Sequence, residues 1–141
     1  MLVESAVKLH GHLGPFLVIG VQMGDLAKRH LKVDDKNSTE LQATIKTPLS
    51  TPFSCIIDGV QVSTSCTVGN QKLKIETSDR EITARFNLRN SKREMNILVN
   101  PKVVDNLIKE MSKGVNAEQL AAKIVSMKEE QLFVLEKQNI N

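Results

Sequence analysis

Tryptophan and tyrosine are both missing from this chain, and phenylalanine occurs only four times. A core built from it must be aliphatic, and the aromatic platforms on which nucleic-acid bases stack are nearly absent. Charge of one sign is scarce too. The net charge is +3, too mild for a dedicated nucleic-acid binder or a membrane-surface protein. No apolar run approaches the roughly twenty residues that a membrane span needs. Met1 leads into an amphipathic segment rather than a secretory signal. Cysteine occurs twice, at Cys55 and Cys66. Without a signal, these residues point to a reducing cytoplasm, where free thiols or metal ligands are expected in place of a disulfide.

What remains is globular: 141 residues, 40% hydrophobic and 25% charged. There is no repeat and no break in composition, so the expectation is one domain over residues 1–141 with a continuous core. The start reads as a short helix broken at His10-Gly11-His12. Pro15 suits the first turn of a second helix, where its missing N–H costs nothing. That helix carries Phe16, Leu17, Ile19, Met23 and Leu26 at mostly helical spacing and closes near Leu31. Gly20 and Gly24, one turn apart, form a stripe that another element can approach closely.

Leu41, Ala43 and Ile45 alternate with polar residues as in a strand. Ser54 then reads as the cap of a third helix that has Cys55 at its first position and runs to about Val62. Leu73 and Ile75, a turn at Ser78-Asp79-Arg80, and then Ile82, Ala84, Phe86 and Leu88 read as a hairpin. Met95, Ile97 and Val99 add a strand. Asn100-Pro101 opens a helix that Gly114 stops, and Asn116 with Gln119 opens the next. Leu132, Phe133 and Leu135 continue in a terminal helix. The expected class is α+β: a one-sided, antiparallel-rich sheet of about four strands, packed with N-terminal and C-terminal helices.

Chemistry-bearing residues gather in two places. His10 and His12 flank a glycine, and an extended or turning backbone there lets both face one cavity. Cys55 at a helix start feels the positive end of the dipole, which favours a thiolate able to bind metal or attack electrophiles. Asp58 follows on the same helix face, able to orient a ligand or accept a proton, and Cys66 lies in the polar loop Thr64-Ser65-Cys66-Thr67-Val68-Gly69. The spacing matches no compact zinc finger, and no nucleotide-binding glycine motif is present. His30, beside Lys28 and Arg29, reads as solvated. A second surface, Lys72, Lys74, Arg85 and Arg89 with Lys92 and Arg93 beyond, reads as a basic hairpin face able to meet phosphates or an acidic partner. The missing aromatics argue against nucleic acid.

At these residues the chain resembles the E-subunit domain of formylmethanofuran dehydrogenase. The first motif is His10-Gly11-His12-Leu13-Gly14-Pro15-Phe16-Leu17-Val18-Ile19-Gly20, with Met23 and Ala27 downstream. The second is Cys55, Asp58, Gln61, Thr64, Cys66, Thr67 and Gly69 in order. The resemblance implies an α+β domain, often dimeric, holding zinc or another divalent transition metal. It nominates His12 and Cys55 as ligands, with His10 and Cys66 next, and puts Asp58 and Gln61 behind them. Thr64, Thr67 and Gly69 would hold a small ligand. In the namesake complex the molybdenum or tungsten chemistry is attributed to other subunits, so the likeness does not imply a dehydrogenase. The chain departs from the pattern at Gly14, where many relatives carry cysteine, at Ser65 in place of glycine, and in the shortened Asn70-Gln71-Lys72 loop. It reads as a short form without the cysteine-pair zinc finger of longer members.

Three functions compete. One is a metal-binding domain, a homodimer with zinc as its ion and a position open to a small ligand. Another is a non-catalytic accessory protein docking on a molybdenum or tungsten redox enzyme or its maturation machinery, through the glycine stripe or the terminal helix. The third makes Cys55 a nucleophile or redox sensor.

Overall fold

Two prolines, each at the first position of a helix, and three glycines that let two helices touch decide how the chain is laid out. The computed structural model describes residues 2–136. In chain order these form α1 (Leu2–His10), α2 (Pro15–His30), a 3₁₀ turn (Ser38–Glu40), β1 (Leu41–Thr47), α3 (Cys55–Thr64), β2 (Leu73–Thr77), β3 (Thr83–Leu88), β4 (Glu94–Val99), α4 (Pro101–Ser112), α5 (Ala117–Ser126), a single turn α6 (Glu129–Leu132) and β5 (Phe133–Leu135). This is an α+β fold. Among the described residues no helix is long and apolar enough to cross a membrane.

The centre of the molecule is α2, buried without interruption from Pro15 to Val21 and again at Met23, Gly24, Leu26 and Ala27. A helix apolar on most sides needs cover on most sides. The sheet covers one flank through Leu41, Ala43, Ile45, Phe86, Met95 and Ile97, which share the main core with Phe16, Ile19 and Met23. Another flank receives α3 at backbone distance. A methyl group on Gly59 would collide with the Leu17 carbonyl and sit 2.7 Å from the Val21 nitrogen, and one on Gly20 would lie 3.1 Å from the Gly59 Cα. Gly24 is closed off by Ser63 and Thr64. The glycine stripe is thus used inside the chain by α3 and is not a surface for another protein. Finally, α1 lies against α2 and α3 through a small cluster of Ala6, Leu17 and Val21.

The sheet has five strands in the order β2-β1-β3-β4-β5. The pair β1–β2 is parallel and the others are antiparallel. The expected hairpin between residues 73 and 88 does not form, because β1 lies between its two arms: Ile45 faces Ile75 on one side and Ala84 on the other. The reason is α3. Pinned to α2, it carries the chain over and returns it beside β1 in a β1–α3–β2 crossover, the connection that a parallel pair requires. The alternation of residues 73–88 says which face each side chain takes, but not which strand is the neighbour.

The C-terminal end also differs from expectation. Instead of a terminal helix, one turn leads into β5, with Phe133 opposite Val99 and Leu135 opposite Ile97. Pairing there satisfies the far side of β4. The predicted starts at Pro15 and Pro101 hold, Asn100 accepts from the Lys102 N–H, and Asn116 accepts from Glu118 and Gln119. Gly114, at φ +84, ends α4.

Gly59→Ala tests the α2–α3 contact. Alanine is the better helix former by about 1 kcal/mol, so an open site would be stabilised. Because this site is closed by backbone, the variant is expected to unfold at lower temperature, with a loss of about 2 kcal/mol or more. Calorimetry showing an unchanged or raised midpoint would refute the packing described.

Candidate functional site

The chain reverses direction at Gly11, which has φ +105, a value that L side chains rarely adopt. Its N–H closes α1 on the Val7 carbonyl at 2.7 Å. The reversal brings His12 back over His10, with ring centroids 4.6 Å apart and planes tilted by 41°. His10 is the last residue of α1, and α1 packs on α3, so its ring meets the α3 face that carries Asp58.

His10 Nδ1 lies 2.7 Å from Asp58 Oδ2. A carboxylate only accepts, so Nδ1 carries the proton, and in the neutral ring Nε2 keeps its lone pair. That Nε2 is buried and, among the described residues, has no hydrogen-bond partner. The other carboxylate oxygen, Asp58 Oδ1, accepts from Gln61 Nε2 at 3.2 Å, and Gln61 Oε1 accepts from the Val68 N–H at 3.1 Å. A continuous chain of hydrogen bonds therefore runs from an exposed loop to one bare ring nitrogen. His12 is exposed, and its Nε2 lies 3.9 Å from where a Cβ on Gly14 would stand.

Cys55 occupies the first position of α3, as its place after Ser54 suggests, but the local physics differs from expectation. Ser54 itself is in helical conformation and makes no side-chain cap. The Cys55 and Ile56 N–H groups donate to the Pro52 and Phe53 carbonyls, so a preceding turn already uses the helix's leading donors. Burial pushes the Cys55 thiol up from its ordinary range, and the Asp58 charge adds to the rise. Activation of Cys55 by the helix dipole is therefore overridden.

Cys66 is held against β1. It is buried in the main core and its thiol donates to the Leu41 carbonyl of β1 at 3.2 Å. Burial is the main reason that its thiol is also shifted upward. Among the described residues, no three His, Cys, Asp or Glu side chains converge as a ready-made cage for an ion.

The Thr64–Lys72 loop turns its polar groups inward. Thr64 Oγ1 donates to the Val60 carbonyl and accepts from the Cys66 N–H. Thr67 and Asn70 bond each other reciprocally, and Asn70 also ties the Lys72 N–H and the Ser65 carbonyl. The hydroxyls of Thr64 and Thr67, expected to hold a ligand, are thus engaged in folding the loop. Sequence reading missed Asn70 and Val68. The Gly69-Asn70 pair marks a turn, but a backbone donor such as Val68 leaves no trace in a motif.

Two other expectations resolve simply. His30 is half-buried and lines a small cavity with Leu26, Glu129 and Phe133. The basic residues Lys74 and Arg85 sit on either side of Thr44, one on each neighbour of β1. They share that open sheet face with Glu76, Glu81 and Glu136, so its charge is mixed rather than basic.

Comparison with known proteins gives likenesses of three kinds. Over 72 residues the chain is 36% identical to a protein of Archaeoglobus fulgidus described as a probable S-adenosyl-L-methionine-binding protein. The match takes in 51% of this chain and spans only 19% of that relative's length. The fold matches the crystal structure of a tungsten formylmethanofuran dehydrogenase FmdE-like protein from Syntrophus aciditrophicus, with a TM-score of 0.68 at 20% identity. That likeness covers 95% of this chain and 68% of the other. The family model described as "FmdE, Molybdenum formylmethanofuran dehydrogenase operon" matches residues 9–134, from the residue before His10 to the middle of β5, and the chain belongs to that family.

Proposed function

We propose that this chain is a metal-binding domain of an accessory protein of its family, holding zinc or another divalent transition metal at His10 and His12 with Cys55 as a third ligand. One observation carries the reading. The Asp58 hydrogen bond favours the neutral His10 tautomer in which a buried Nε2 presents a lone pair, and among the described residues that nitrogen has no partner. Metal-ligating histidines are characteristically held this way, by a carboxylate on the opposite ring nitrogen. An unfilled buried acceptor costs stability, and filling it returns that cost.

The donor set also limits the ion. With Cys66 bonded to Leu41 and glycine at position 14, the proposal takes three protein ligands, His10, His12 and Cys55. A three-ligand zinc keeps one position for water or a small ligand, where it supplies Lewis-acid chemistry. The residues' own tasks are separable: Asp58 orients His10, and Gln61 orients Asp58. Cys55, whose thiol burial pushes upward, must give up its proton to bind. Membership of a family described by a molybdenum enzyme operon supports the accessory role. A homodimer, with the site shared between copies or repeated in each, is part of the same proposal.

Elemental analysis and zinc calorimetry on metal-free protein are the direct tests. Wild type is expected to take up zinc, and His12→Ala and Cys55→Ser to lose most of that uptake. Asp58→Ala should weaken it about tenfold to hundredfold, while Cys66→Ser leaves it unchanged. Gly14→Cys, which sets a thiol beside His12, should tighten it. Wild-type metal content near zero, or uptake indifferent to both the His12 and Cys55 changes, would end the proposal.

Thiol labelling gives a separate check. A raised thiol pKa means less thiolate at any given pH, so the labelling curve of Cys55 should lie at higher pH than that of free cysteine. A curve at or below the free-cysteine position would favour a reactive nucleophile instead.

A further inference from the structure

We infer that Gln61 is a positioning residue through which the Thr64–Lys72 loop controls the metal-ready tautomer of His10. This rests on the metal reading for its purpose but not for its geometry. The geometry is a directed relay. The Val68 N–H donates to Gln61 Oε1, Gln61 Nε2 donates to Asp58 Oδ1, and Asp58 Oδ2 accepts from His10 Nδ1. Each link permits only one sense. A backbone N–H only donates, so it fixes which end of the Gln61 amide is oxygen. The amide's NH₂ then faces the carboxylate, which cannot donate back. The final consequence falls on His10: the proton stays on Nδ1 and the lone pair stays on buried Nε2.

The loop end of the relay is built to be definite. Asn70 holds the Thr67 N–H, the Lys72 N–H and the Ser65 carbonyl together, while Ser65 and Gln71 take up left-handed conformations on either side. Yet the loop tip faces solvent, with Val68 56% exposed. A surface segment is thus coupled through a single glutamine to a nitrogen that solvent does not reach. Without Gln61, the Asp58 carboxylate would lose the donor that sets its rotation, and its hold on the His10 tautomer would weaken.

Nitrogen NMR of the histidine ring on metal-free protein reads this directly. Wild-type His10 is expected as one tautomer, protonated at Nδ1. Gln61→Leu should give a mixture, as should Asn70→Ala, which loosens the loop without touching α3. Gln61→Glu separates positioning from mere packing. It still accepts from Val68, whose amide proton should remain protected from exchange, but it cannot donate to Asp58 and should give the mixture. Zinc affinity should fall about tenfold to hundredfold in Gln61→Leu. A single Nδ1-protonated tautomer in all three folded variants would overturn the inference. If wild type fails to bind zinc while the tautomers respond as expected, the metal reading falls and the relay stands.

Discussion

The backbone contact between α2 and α3 is the constraint on which the remaining structure depends. Gly20 and Gly59 meet with no side chain between them, and Gly24 extends the contact toward Ser63 and Thr64. This close approach fixes α3 in rotation as well as position. One side of α3 delivers Ile56 and Val60 to the main core, and another presents Asp58 and Gln61 to α1 and the following loop. The same contact makes α3 a crossover, which forces β2 to lie parallel to β1. Fold and site are therefore two results of one packing decision.

On α3, Asp58 takes part in an ordered carboxylate–imidazole pair, and Cys55, three residues earlier, has its thiol pushed upward by burial. The pairing is informative because the two effects oppose each other. Asp58 prepares His10 by holding its proton, yet its charge adds to the burial that discourages the Cys55 thiolate. A nucleophilic cysteine would need the opposite arrangement. A bound cation changes the balance, because its charge stabilises the thiolate and offsets the repulsion from Asp58.

Local chemistry made much of the layout legible. Pro15, Pro101, Asn100 and Asn116 announce helix starts, and Gly114 announces an end, because capping and φ restrictions act within a few residues. The Gly20–Gly24 stripe revealed a close approach, though not that α3 would supply the other side. Strand neighbours were hidden: alternation at residues 73–88 is satisfied equally by a hairpin and by two strands flanking β1. Phe133 and Leu135 were too few to show a period and were read as helix. At the site, the motif named His10, His12, Cys55 and Asp58, and the structure joins His10 to both His12 and Asp58. It could not show that Cys66 bonds Leu41, since that depends on where β1 passes. Nor could it reveal the Val68 N–H, a group that every residue except proline carries.

X-ray absorption at the zinc edge of the loaded wild-type protein reads the ligand set without any substitution. Two histidine nitrogens at about 2.0 Å, with the outer-shell pattern of imidazole, and at most one sulfur at about 2.3 Å are expected. A shell without imidazole scattering would mean that His10 and His12 are not the seat of the ion, and one with two sulfurs would mean that the ligand set reaches beyond a single Cys55.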